Sequence, residues 1–409
     1  MQTNIIIVTH CTLEDNSGIQ NCHLAQSLCD LGFDCVIAAH GDLKSPIHQP
    51  KFRTAGYDRL DLAFANGRPA DIVHAWTPRE GVRRACEVLA LRNKCPIVVH
   101  LEDNEDFVTQ SVIGVEAHHR AAASTYAIGD HLVPRHLTHP RRGWDFVATS
   151  AGVTGLFDTL REFVPSYLPF FEFWPGFDPA FVWAAGGKEE RRLLGIEPSD
   201  IAIVYSGNAH PANKSDVLSL YDAVRAARQR GIPYRLVRTG RGQVLDRPVL
   251  PEEGIVELGW VQRERLVRLF SAADVFVQPG NIDDFNRYRF PSKVPDMMVT
   301  GKPVILPKAN IGLHLTNNSQ AILLEDTDAA GLLTRLEWLA DHRTEGVDIG
   351  RRGRHFALQT LNWTAAAKKL SAFYADIISG KASRGPILPG NMLKRRLRYI
   401  DDARRSKVS

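Results

Sequence analysis

The chain has 409 residues, 44% of them hydrophobic and 23% charged, with a formal net charge of +4. Such a length exceeds what one core usually takes, and such a composition excludes wholesale disorder, so two packed domains are expected. No apolar run approaches the roughly 18 residues of a membrane span, and a nucleic-acid face is disfavoured because the basic residues gather at one end instead of across a fold.

The first apolar run, Ile5-Ile6-Ile7-Val8, follows Met1-Gln2-Thr3-Asn4 with no basic leader, so no signal peptide is apparent and a cytoplasmic protein is expected. All six cysteines (Cys11, Cys22, Cys29, Cys35, Cys86, Cys95) fall in the first quarter without C-x-x-C spacing. They read as reduced thiols, neither a metal site nor a disulfide framework.

Asn4–Thr9 reads as a strand, His10–Gly18 as a polar loop, Ile19–Leu31 as a helix ended by Gly32, and Phe33–Ala39 as a second strand. This is a βαβ opening without G-x-G-x-x-G, only Gly18 standing near the helix start, which disfavours a dehydrogenase. Asp71–Trp76 and Pro96–His100 are further strands, the first followed by a helix through Ala85–Leu91. Side chains just past the carboxyl ends of strands line the crevice of an open α/β sheet. His74, His100, Glu102 and Asp103 are therefore candidates for its wall, unless the acidic cluster only caps the next helix. Residues 107–145 carry His118, His119, His131, His136 and His139 without zinc-type spacing, and helices with a surface loop are expected there. Asp145–Ser150 reads as a strand, the aromatic Pro169–Val182 as a domain crossover, and the charged Lys188–Pro198 as a linker.

A second βα series begins with the strand Ile201–Gly207, the loop Asn208–Asn213 and the helix Lys214–Arg230. Tyr234–Arg238 and Gly254–Trp260 are strands, Arg263–Ala272 a helix, and Asp274–Gln278 a strand that must turn at Pro279-Gly280. Pro291-Ser292-Lys293 then opens a short helix, or Pro295 does, and Gly301 and Pro303 end it before the strand Val304–Leu306. A helix amino end facing a polar loop offers free N–H groups to a phosphate, with Lys293 beside it and Asp296 able to accept from ribose hydroxyls. An ordinary cap with a solvated lysine would look the same. Alternating elements in both halves give two Rossmann-like domains facing a cleft.

Asp71-Ile72-Val73-His74-Ala75, Phe173–Asp178, Gly301-Lys302-Pro303-Val304-Ile305 and Trp363 ahead of a helix with Tyr374 occur in the order seen in family 4 of the retaining glycosyltransferases, which this chain resembles to about residue 380. The resemblance implies the GT-B architecture. An acceptor domain would span residues 1–175, a crossover 176–200, a nucleotide-sugar domain 201–362, a returning helix 363–380 and a basic tail 381–409.

It also implies transfer of a sugar from a nucleotide-sugar donor to a glycan, lipid-linked or small-molecule acceptor, with retention. Of the family's two glutamates eight apart, the second corresponds to Asp296 and the first to Tyr288, a departure. Arg289, Ser292 and Lys293 would hold the diphosphate. Of the family's Arg and Lys after the first strand of this domain, Asn208 replaces the arginine and Lys214 is kept. Gly18 would pass close to the donor phosphates, Glu102 or Asp103 would stand near the anomeric carbon, and Lys214, Asp296 and Glu102 are the implied catalytic set. His74, His100 and Asp103 would face the acceptor.

Cations beside the leaving diphosphate make a metal unnecessary, so no cofactor and no divalent ion are expected. A catalytically lapsed GT-B binding protein, made credible by Tyr288 and Asn208, and a sugar-nucleotide epimerase remain alternatives. In the tail, nine Lys or Arg stand against Asp401 and Asp402, which leaves residues 1–380 at about −3. There Leu393, Leu397 and Ile400 share a helical face amid Lys394, Arg395, Arg396 and Arg398, either a membrane-surface helix meeting an anionic inner leaflet or a solvated tail.

Overall fold

A computed structural model describes residues 2–57, 59, 64–124, 133–210, 213–283 and 286–381. The basic tail and its amphipathic segment, like His131, lie outside these residues.

The first domain is built from β1 (Asn4–Thr9), α1 (Asn16–Asp30), β2 (Asp34–Ala39), β3 (Arg53–Gly56), β4 (Ile72–Trp76), α2 (Glu80–Asn93), β5 (Ile97–Leu101), α3 (Glu105–Ile113), α4 (Val115–Ala123), α5 (Pro140–Ala148), β6 (Gly152–Gly155) and β7 (Phe170–Glu172). Its seven strands lie parallel in the order β3-β2-β1-β4-β5-β6-β7. β1 is buried on both faces, as its unbroken apolar run requires, and pairs Ile5 with Cys35 on one side and Ile72 on the other. The strand order reverses between β1 and β4, which opens a crevice at their carboxyl ends.

α6 (Gly187–Leu193) leads into the second domain: β8 (Ile201–Ser206), α7 (Lys214–Gln229), β9 (Tyr234–Thr239), β10 (Ile255–Glu257), α8 (Arg263–Ala272), β11 (Val275–Val277), α9 (Val294–Val299), β12 (Val304–Pro307), β13 (Ile322–Leu324), α10 (Ala329–Asp341) and α11 (Arg343–Thr360). Its six parallel strands run β10-β9-β8-β11-β12-β13, reversing between β8 and β11. α12 (Trp363–Ile378) returns to the first domain, where the Tyr374 hydroxyl meets His74 Nδ1 at 2.7 Å. The outgoing and returning chains touch at the crossover: Phe177 N–H donates to Leu361 carbonyl at 3.0 Å, and a Cβ on Gly176 would sit 2.4 Å from Trp363 N. Only glycine permits that approach. One apolar cluster runs from Val8 and Val99 under the first sheet through Phe157 and Phe181 to Met297 and Leu306 under the second, so the domains share a core there.

Two sequence expectations are corrected, and one open alternative is decided. Asp145–Ala148 ends α5 and is no strand; Pro140 occupies the first turn and the ring of His139 accepts from Arg142 N–H, which starts a helix too early for a strand to follow. Residues 187–193 form α6 in place of a linker, because buried Glu190 accepts from Arg268 Nε at 3.0 Å and pairs with Arg265, fixing it to α8. The helix after residue 290 begins at Val294, with Pro295 in its first turn, so Ser292 and Lys293 form the turn before it.

Candidate functional site

Past the carboxyl ends of β8 and β11 the second domain gathers positive charge. The Lys293 ammonium lies 5.5 Å from the centre of the buried Tyr205 ring and, among the described residues, pairs with no carboxylate. Burial, and then the neighbouring Arg289, bring its pKa down to about 7. His210 stands at the exposed rim of this cluster, and partial desolvation followed by Arg289 and Lys293 lowers its imidazole to about 4. Asp216, 4% exposed, holds the loop that carries the cations. Its carboxylate accepts from Asn281 N–H at 3.2 Å and Asn286 Nδ2 at 3.3 Å, while Asn310 Nδ2 donates to Asn286 carbonyl. Sequence inspection passed over Tyr205, His210 and Asp216; all three lie on β8 or within ten residues after it, where the crevice rule points.

The other expected donor residues are spread around this cluster. Asn208 is exposed, and its Oδ1 accepts from Arg241 N–H at 2.7 Å, which ties its loop to the glycine turn 240–242. Lys214 opens α7, yet its half-exposed ammonium meets Asp246 Oδ1 at 3.3 Å. Asp296 Oδ1 accepts from Asp178 N–H at 2.7 Å, and Asp178 is itself clamped by Arg263, whose Nε donates at 2.7 Å. Burial first, and Asp178 second, raise the Asp296 pKa well above the carboxylate range. Asp296 thus sits at the crossover. Tyr288, 6% exposed, donates its hydroxyl to Glu162 of the first domain at 2.7 Å.

The first domain supplies the opposite wall. Glu102, directly after β5, is 7% exposed and accepts from Trp76 Nε1 at 2.6 Å and from Ser17 Oγ, which lies 2.9 and 2.8 Å from its two oxygens. Burial, and then Asp103, push its pKa up to about 7. Asp103 is raised by burial too, and the first charge to oppose that shift is Arg289 of the second domain, so the two walls meet electrostatically here. Arg79 donates to Glu105 Oε2 at 3.2 Å. Asn104 caps α3 through Phe107 N–H, so the acidic cluster divides between capping and the crevice. Gly18 approaches the preceding loop so closely that a Cβ would fall 2.0 Å from Thr12 carbonyl.

Thr77, directly after β4, has φ +78, a value β-branched residues avoid, and its buried hydroxyl oxygen has no hydrogen-bond partner among the described residues. His10 Nδ1, after β1, is likewise buried and without a partner among the described residues. Both were missed in the sequence, although each follows a strand at the point of reversal.

His74 and His100 are not brought to the crevice. Both are fully buried in mid-sheet, sharing Thr154 Oγ1 at 3.1 and 2.8 Å, with His74 bonded to Tyr374 and His100 packed 4.1 Å from the Trp76 ring. Burial lowers both imidazoles, His74 to about 3, so they stay neutral.

Among the described residues no three His, Cys, Asp or Glu side chains are grouped as a metal cage requires, and no helix is long and apolar enough to cross a membrane. The arrangement is a crevice with Lys293, paired with no carboxylate among the described residues, beside Arg289 on one wall and carboxyls of raised pKa on the other. Residues 200–342 match the family described as glycosyl transferases group 1. No curated protein matches the chain in sequence.

Among solved structures, the Anabaena protein HepE in complex with UDP-glucose aligns with a TM-score of 0.67 at 12% identity, over 92% of this chain and 100% of that one. Sucrose-phosphate synthase from Thermosynechococcus elongatus aligns at 0.64 and 14% identity, over 93% and 100%. A glycosyltransferase from Rickettsia africae aligns at 0.64 and 11%, over 92% and 99%. The architecture is GT-B, and the second domain carries the group 1 glycosyltransferase signature.

Proposed function

We propose that the chain is a glycosyltransferase that moves a sugar from a nucleotide-sugar donor to a glycan, lipid-linked or small-molecule hydroxyl acceptor, with retention and without a metal. The observation that carries this reading is the Lys293 ammonium, half-buried beside Arg289 at the β8/β11 reversal and, among the described residues, paired with no carboxylate. A partly desolvated cation without a described counterion is costly, and a bound diphosphate would compensate it. As the sugar–phosphate bond breaks, charge grows on the leaving diphosphate, and preorganised cations stabilise that charge more than the ground state. Retention follows the family resemblance. The acceptor would enter from the first domain, and the tail, residues 381–409, would meet an anionic inner leaflet if the acceptor is lipid-linked.

The test is a panel of UDP-, GDP-, ADP- and dTDP-sugars, scored for release of nucleoside diphosphate with and without acceptor mixtures. UDP-sugars come first, because HepE was solved with UDP-glucose. Release from one donor supports a transferase, conversion of the sugar nucleotide without release supports the epimerase alternative, and binding of none removes the reading. Tyr288 and Asn208, both engaged in structural contacts, favour a lapsed binding protein as the second reading; binding without turnover would support it. Because Lys293 and Arg289 supply the charge, turnover is expected to be unchanged in excess chelator. Loss of turnover restored by magnesium or manganese would overturn metal independence.

A further inference from the structure

The loop that carries Arg289 is fastened to both domains. Asn286 is tied within its own domain to Asp216, but the next two residues reach across. Arg287 Nη2 donates to Glu162 Oε1 at 3.0 Å, and the Tyr288 hydroxyl donates to Glu162 Oε2 at 2.7 Å. Glu162 belongs to a 3-10 turn, Asp158–Phe163, between β6 and β7 of the first domain. The Tyr288 ring meets Phe163 edge-on at 4.9 Å, and Phe290 stacks on Phe157 at 5.3 Å. Trp174 and His314, 4.8 Å apart, extend this aromatic seam. Arg289 thus lies between two residues whose rings are set by the opposite domain.

Apolar packing is tolerant of small sliding motions, whereas a hydroxyl–carboxylate bond has a direction and a short range. We propose that Tyr288 is a positioning residue: its bond to Glu162 makes the placement of Arg289 and Lys293 depend on the angle between the domains. The donor diphosphate therefore binds tightly only when the first domain is docked along the seam. This explains a tyrosine at the position where the resemblance implies a glutamate, because a carboxylate there would face Glu162 with like charge. The inference rests on the donor site proposed above.

The test uses the full chain, with UDP, GDP and ADP as probes in calorimetry. Tyr288→Phe keeps the ring and loses only the hydroxyl. It is expected to weaken binding of the nucleoside diphosphate about three- to tenfold, the effect of one charge-assisted hydrogen bond partly transmitted, with the thermal midpoint moved by no more than about 2 °C. Glu162→Ala, which also releases Arg287, should weaken binding at least as much, and adding Tyr288→Phe to it should change nothing more, since the hydroxyl has then already lost this partner. Glu162→Gln still offers an acceptor oxygen and should bind within twofold of wild type. Equal affinities for wild type and Tyr288→Phe, or effects of the two substitutions that multiply, would overturn the inference and leave the donor site standing. A wild-type chain that binds none of the three probes overturns the donor site and this inference together.

Discussion

Lys293→Met is expected to lower donor-dependent turnover by about 10²–10³-fold, the usual cost of removing one preorganised group from developing charge, and yet to raise the thermal midpoint. The two effects separate because burial and Arg289 hold the lysine pKa near 7, below its ordinary 10.5. Between those values the unfolded chain binds more protons than the folded one, so stability rises with pH across that window. The penalty is full below about pH 7 and gone above about 10.5. Methionine removes it while filling much of the same volume, so the gain in midpoint should be largest at pH 6 and vanish towards pH 10. A bound diphosphate reverses the balance by favouring the ammonium. Calorimetry at pH 8 in buffers of different ionisation enthalpy should therefore show proton uptake on binding for wild type and none for Lys293→Met. Undiminished turnover in the variant, or the same uptake in both chains, would place the phosphates elsewhere.

What could be read from the chain follows how local each determinant is. The paired sheets were legible because β1 and β8 are unbroken apolar runs with turn residues at their ends, and the crevice follows from strand order once alternation is granted. Arg289 and Lys293 are four residues apart, so their proximity is local, although the loop's placement rests on distant Asp216 and Glu162. Asp296 was read as a ribose ligand, but its oxygen is engaged by Asp178, 118 residues away, which no local pattern announces. The Tyr288–Glu162 bond spans 126 positions and is equally silent. His74 and His100 looked like crevice residues because they lie in or at the end of apolar strands; that they lie inside depends on α12 returning over the first sheet. The run Trp144–Ala148 fits either period. His139 and Pro140, five and four residues upstream of Trp144, settle it as a helix, and capping outweighed the apolar run.

Glu102→Gln is the second substitution with a large expected effect, and its signature is a pH profile. When the acceptor oxygen bonds to the sugar its proton must leave, and a carboxylate titrating near 7 is suited to receive it at neutral pH. Glu102, raised to about 7 by burial, is followed by Asp103, which feels Arg289 of the second domain. Ser17 and Trp76 occupy part of its acceptor capacity, and an ionised carboxylate has about four acceptor sites in all. Wild-type transfer should fall on the acid side of about pH 7, while Glu102→Gln should be about 10²–10⁴-fold slower and lack that limb. Nucleoside diphosphate affinity should be unchanged, since Glu102 is bonded to Ser17 and Trp76 and not to the loop that carries Arg289 and Lys293. Stability supplies an independent check. The folded chain holds more protons than the unfolded one between about 4.5 and 7, so the contribution of Glu102 is lost as pH rises through that window. The glutamine variant should accordingly gain on wild type in thermal midpoint from pH 5 to pH 8. Ser17→Ala removes a donor to the ionised form and should move the acid limb to higher pH without abolishing transfer. A Glu102→Gln enzyme with wild-type rate and an intact limb would assign the proton to another group and leave Glu102 as a brace between α1 and β4.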